Sequence, residues 1–113
     1  MTNPLLAAVW AANPDRCEAT LARRLIKLSE ELGEVSEAYL NVTSGSNTKA
    51  KSWDDFREEL IDLMIVTMDC LLTPLDREEA VGLKAREAEI ERVLEVKLEK
   101  WRRAMTNGST ATL

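Results

Sequence analysis

The 113-residue sequence predicts an all-α fold of the four-helix-bundle type. Three observations carry this: apolar residues recur at helical spacing along the long segments, the segment starts are marked by capping residues, and no stretch alternates apolar and polar residues as a half-buried strand does. No internal repeat is visible. The length suits one domain, placed at residues 1–106, with a Ser/Thr-rich tail over 107–113 expected to be frayed.

Asn3-Pro4 places a capping residue before a proline at the first helical position and predicts a short helix over Pro4–Ala11. Asn13-Pro14 repeats the signal and predicts a long helix from Pro14 to Leu40. Ser52 followed by Asp55 forms a near capping box for a third helix, Trp53–Leu72. Asp76 and Glu79 after Pro74 predict a fourth, from Arg77 to about Met105, closed by Asn107-Gly108. The polar segment Asn41–Ser52 is long for a helix connection; it reads either as a flap over a site or as a surface insertion.

A formal charge of −5 argues against a protein that coats a nucleic-acid polymer, which needs clustered Lys and Arg. The apolar run Leu5–Ala12 lacks a basic flank and is shorter than a secretory signal or membrane span, so the chain is read as cytoplasmic and not membrane-bound. Cys17 and Cys70 have no metal or redox spacing and read as reduced core thiols. The absence of histidine excludes His-based acid–base catalysis, Ser-His and Cys-His pairs and most zinc sites. Any chemistry must run on carboxylates, Lys and Arg. Aromatics supply only 4% of the chain, so aliphatic residues must fill a shallow core, and a second copy is expected to cover the apolar face left over.

On the second helix Leu21, Leu25, Leu28, Leu32, Val35 and Tyr39 fall on one arc, which is expected to face the core. Glu30 and Glu34 lie on the other side, and Glu31, about 60° from Glu34 and about 40° from Val35, stands at the border. Lys27 precedes Glu31 and Glu34 by four and seven residues, placed to offset their repulsion. The third helix is apolar around nearly its whole circumference, as expected of a helix buried in a bundle, and is interrupted along one strip by Glu59, Asp62 and Asp69. Asp55 and Glu58 extend that strip. Buried carboxylates require compensation, from Arg or Lys partners or from a hard divalent cation. An oxygen-only donor set favours Mg²⁺, with Mn²⁺ as a substitute. On the fourth helix Ile90, Val93, Leu94, Leu98, Trp101 and Met105 form an apolar stripe from which Lys97 projects, with Lys100 at its border. Lys97 reads either as a snorkelling surface residue or as a phosphate-directed charge.

The segments Lys27–Ala38 (KLSEELGEVSEA) and Trp53–Leu72 (WDDFREELIDLMIVTMDCLL) resemble the MazG-like members of the all-α nucleoside triphosphate pyrophosphohydrolases, marked by Glu-Glu-x-x-Glu followed by Glu-x-x-Asp. The resemblance covers roughly Trp10 to Met105. It implies a helical bundle that assembles as a homodimer or a dimer of dimers. It also implies Mg²⁺-dependent cleavage of a nucleoside triphosphate between its α and β phosphates. Carried over by position, Glu31, Glu34, Glu59 and Asp62 are the metal ligands, and Glu30 is a further ligand or orients the attacking water. Lys27, Lys97, Lys100 and Trp101 are the candidate substrate-binding residues. Lys97–Arg103 resembles the family's Lys-x-x-x-Asn-Arg-Arg element, with Trp101 in place of Asn. An indole stacks on a base but lacks an amide's paired donor and acceptor. A phosphoribosyl-ATP pyrophosphohydrolase and a non-catalytic helical module with Arg-paired carboxylates are the alternatives.

Overall fold

In a computed structural model describing residues 3–13, 16–44, 49–75 and 81–107, the chain is all-helical, with no strand among the described residues. The helices are α1 (Pro4–Ala12), α2 (Glu18–Thr43), α3 (Trp53–Leu72) and α4 (Leu83–Thr106). Two starts follow their sequence signals. The Asn3 side chain accepts hydrogen bonds from the backbone N–H groups of Leu5 and Leu6 at 3.0 and 3.2 Å. The capping box at α3 is complete, because Ser52 Oγ accepts from Asp55 N–H at 3.1 Å and the Asp55 carboxylate accepts from Ser52 N–H at 2.8 Å. Those bonds hold the Asp55 carboxyl below its ordinary range.

Two other starts differ from expectation. α2 begins at Glu18 rather than Pro14, with Arg16 and Cys17 outside the helix. Arg16 is drawn away instead: its guanidinium donates to the carbonyls of Val9 and Asp69 at 3.1 and 3.0 Å and lies 5.1 Å from the Trp10 ring centroid. α4 begins at Leu83, since Val81 and Gly82 are not helical and Gly82 is its N-cap. The Asp76, Arg77 and Glu79 signals lie outside the described residues. α2 also runs three residues past Leu40. Asn41 and Thr43 turn their side chains back onto the carbonyls of Glu37 and Tyr39, and Ser44 N–H closes on Leu40. The flap or insertion is therefore confined to 44–52, of which 45–48 lie outside the described residues, as does the tail from Gly108.

α3 organises the packing. α2 lies along it in antiparallel register: Tyr39 meets Trp53 and Phe56 near the connecting loop, Glu31 and Glu34 meet Glu59 in the middle, and Arg24 meets Asp69 at the far end. α1 and α4 also touch α3 and each other, and Glu87 of α4 accepts a 2.8 Å hydrogen bond from Asn3 N–H. No Cα of α4 approaches α2 within 8 Å.

This open arrangement corrects the expected core. On α2 the buried line is Glu31, Val35 and Ala38, whereas Leu25, Leu32 and Tyr39 are about half exposed. α3 is not encircled either, and Ile61, Met64, Ile65 and Leu71 stand 45–50% exposed. The cause is α4, which leaves the outer side of the α2–α3 pair uncovered. The radius of gyration is 16.9 Å, against about 13 Å for a compact chain of similar length. Cys17 is exposed rather than in the core, Cys70 is half-buried, and both thiols are free. Among the described residues no helix is long and apolar enough to cross a membrane.

Asp69 is the polar pin of the molecule. Its carboxylate lies 2.7 Å from Arg16 Nη1, 2.9 Å from Arg24 Nε and 3.0 Å from Asn13 Nδ2. The Arg16 side chain is only 4% exposed. Removing one member of a buried pair leaves the other charge uncompensated. Asp69→Ala is expected to lose about 3–5 kcal/mol in urea unfolding, and a loss below about 1 kcal/mol would show that Arg16 is compensated elsewhere.

Candidate metal centre

Helical spacing puts Glu31 and Glu34 one turn apart on α2, and the antiparallel register brings Glu59 of α3 across to them. One oxygen from each lies within 4.8 Å of the other two. The site is graded from closed to open: Glu31 is 6% exposed, Glu59 half-buried and Glu34 exposed. Glu31 Oε2 and Glu59 Oε2 are buried without a hydrogen-bond partner, an arrangement that costs free energy until a donor or a cation meets them. Glu31 Oε1 pairs with Lys27 Nζ at 3.1 Å, and Glu30 Oε2 stands 3.9 Å from the same ammonium. The hydrogen bond and charge of Glu31 raise the Lys27 pKa above its ordinary value.

Of the other candidates, Glu30 sits beside the cluster with its side chain 61% exposed. Asp62 lies one turn beyond Glu59 on α3, exposed and outside the group of three. Asp69, placed by the sequence on the same acidic strip, is taken up by its two arginines. Arginine pairing is thus present at Asp69, whereas Glu59 Oε2 has no hydrogen-bond partner among the described residues. Lys97 lines an apolar groove of about 620 Å³ with Leu21, Thr67 and Leu71, and Thr67 is about 12 Å along α3 from Glu59 at 1.5 Å per residue. No ion pair among the described residues joins Lys97 or Lys100 to the carboxylates, and Trp101, 44% exposed, stands on the same outlying helix. Arg102 and Arg103 both bind Glu99, whose carboxyl the Arg102 hydrogen bond and then Arg103 pull down to about 2.

Sequence reasoning missed an aromatic cluster. Tyr39, Trp53 and Phe56, three of the five aromatic residues, stand with ring centroids 5.8–6.2 Å apart, within two turns of the carboxylates on both helices. Tyr39 and Trp53 are 48% and 53% exposed. The register that pairs Glu31 with Glu59 also pairs these residues, so the signal lay in the α2–α3 hairpin rather than in either helix alone.

No family model, curated protein or solved structure matches the chain. Whether a cation fits is decided by the residues themselves. Three converging carboxylates, two orphaned buried oxygens and no nitrogen or sulfur donor suit a hard divalent cation such as Mg²⁺ or Mn²⁺.

The cluster repels itself. The Glu34 carboxyl is pushed above its ordinary range, first by the charge of Glu31, then by lost solvation, by hydrogen bonding with Glu31 and by Glu59. A carboxyl whose folded pKa is raised favours the folded state while protonated, and that contribution is lost as pH climbs through the raised pKa. In metal-free buffer Glu34→Gln is therefore expected to raise the melting temperature at neutral pH and to flatten its decline with rising pH. A variant that melts below the wild type would show that Glu34 is attracted into the cluster rather than repelled.

Proposed function

We propose that this chain is a Mg²⁺-dependent nucleoside triphosphate pyrophosphohydrolase of the MazG-like type, with Mn²⁺ as a substitute cation. The observation that carries the reading is the convergence of Glu31, Glu34 and Glu59, with two buried oxygens that have no hydrogen-bond donor among the described residues. The sequence resemblance assigns a role to those same residues.

Glu31, Glu34 and Glu59 would hold the cation, with Asp62 as the fourth carboxylate from the next turn of α3. A bound cation supplies neutralisation of polyphosphate charge and lowers the pKa of water. Glu30, exposed beside the cluster, would orient the water that attacks the α-phosphorus or add a further ligand. The bond from that phosphorus to the bridging oxygen breaks, leaving a monophosphate and pyrophosphate. The Tyr39–Trp53–Phe56 cluster offers exposed ring faces on which a base can stack. Lys27 stands beside the cluster, whereas Lys97 lines a separate groove with Leu21, Thr67 and Leu71, and the parts of Lys97, Lys100 and Trp101 in substrate binding rest on the sequence resemblance.

Exposed apolar surface supports a second copy. Among the described residues twenty large apolar side chains are exposed, against four buried apolar residues, and Val93, Leu94, Leu98, Trp101 and Met105 form a bare stripe on α4. Patches of this extent mark interfaces. A homodimer or a dimer of dimers is the proposed assembly.

Pyrophosphate release from a panel of nucleoside triphosphates is expected with Mg²⁺ and not with EDTA, with a loss of at least about 100-fold in Glu59→Gln and Asp62→Asn. If no triphosphate yields pyrophosphate at millimolar Mg²⁺, the enzyme reading fails. Light scattering is expected to give at least a dimer, and Leu94→Glu with Leu98→Glu a smaller species; a monomeric wild type would overturn the assembly.

A further inference from the structure

Lys27 occupies a position with a use of its own. Its ammonium holds Glu31 Oε1 at 3.1 Å while Glu31 Oε2, on the same buried carboxylate, has no partner. Glu31 is thus half-compensated by a side chain that is itself 50% exposed. Lysine brings a strongly hydrated point charge on a flexible four-carbon stem, without the rigid fork that fixes an arginine. A second acceptor, Glu30 Oε2, already lies 3.9 Å from Nζ, on the residue next to Glu31 and one turn after Lys27 on the same helix. Lys27 also lines a groove of about 460 Å³ shared with Met64 and Met68 of α3, which gives its stem room to withdraw. A divalent cation on Glu31 would meet the ammonium as a like charge on one carboxylate, and the weaker, solvent-facing charge is the one that moves.

Resting on the metal reading, we infer that Lys27 is the resident counter-ion of the metal-free cluster, displaced from Glu31 when a divalent cation enters, and that this competition sets the cation affinity. The role differs from phosphate binding, because it operates without a nucleotide. It also accounts for a lysine one and two turns before two carboxylates that converge on a third.

The test is Mn²⁺ binding without nucleotide, followed by electron paramagnetic resonance of the free ion and by calorimetry, in wild type, Lys27→Met, Lys27→Gln and Lys27→Arg. Removing a unit charge a few ångströms from the site is expected to tighten Mn²⁺ binding about tenfold in the Met and Gln variants. Lys27→Arg, which keeps the charge and adds a fork that holds a carboxylate more firmly, is expected to bind Mn²⁺ no more tightly than the wild type. If wild type binds Mn²⁺ and the Met and Gln variants bind it equally or less tightly, the counter-ion role is overturned while the metal centre stands. If wild type binds no Mn²⁺ at millimolar concentration, the metal centre falls and the counter-ion role with it.

Discussion

Between α2 and α3 the helices run antiparallel, and their register lines up three kinds of pairing: aromatic rings at the loop end, carboxylates in the middle, and an aspartate with two arginines at the far end. Each depends on the one before it. The aromatic contacts and the capping box at Ser52 fix where α3 starts against α2, and a helix advances about 1.5 Å per residue. With Tyr39 set between Trp53 and Phe56, the turn that carries Glu31 and Glu34 stands against the stretch that carries Glu59, and Arg24 against the turn that carries Asp69. A slip of one residue on either helix would rotate its carboxylate by about 100° out of the seam.

The same seam explains why the single chain is so bare. A helix owes most of its stability to packing of an amphipathic face rather than to propensity. α2 and α3 spend the centre of their shared face on Glu31, Val35 and Ala38, one of which is charged. Aliphatic burial is therefore displaced outward onto Leu25, Leu32, Ile61 and Ile65, where no further helix stands among the described residues and α4 does not reach. A polar seam and an uncovered apolar exterior are two sides of one arrangement, which is the physical case for the proposed second copy.

Much of this was legible in the sequence, and what was not has identifiable causes. The four helices, the Ser52 cap and the one-turn spacing of Glu31 and Glu34 follow from local patterns, whereas the meeting of that pair with Glu59 depends on how α2 and α3 pair. The start of α2 did not follow, because the Asn13-Pro14 signal was overridden by tertiary contacts: Arg16 leaves the helix to satisfy Val9, Asp69 and the Trp10 face. Burial on α2 was misjudged because an apolar arc says which side is hydrophobic, not which part of it meets a neighbour. Glu31, read as a border residue, is the buried one, while Leu32 next to it is 55% exposed. Asp69 illustrates the same limit, since nothing in α3 alone distinguishes a carboxylate met by arginines from one left open. Its partners come from residues 16 and 24, more than forty positions away.

That distinction divides the acidic strip into two functions. Arg16 binds Asp69 while its other donors hold the carbonyls of Val9 and Asp69 itself, so the guanidinium is fixed by several bonds at once and a cation cannot displace it without breaking them all. Among the described residues Lys27 makes no such second set of bonds to backbone and pairs with two glutamates of its own helix. An aspartate clamped by a fork and a glutamate touched by a point charge would respond differently to an incoming ion: the first would keep its partner and, under the proposed counter-ion role, the second would exchange it. The Asp69 end therefore holds α1, α2 and α3 in register, and the exchange proposed for the Glu31 end takes place on a frame that does not have to move.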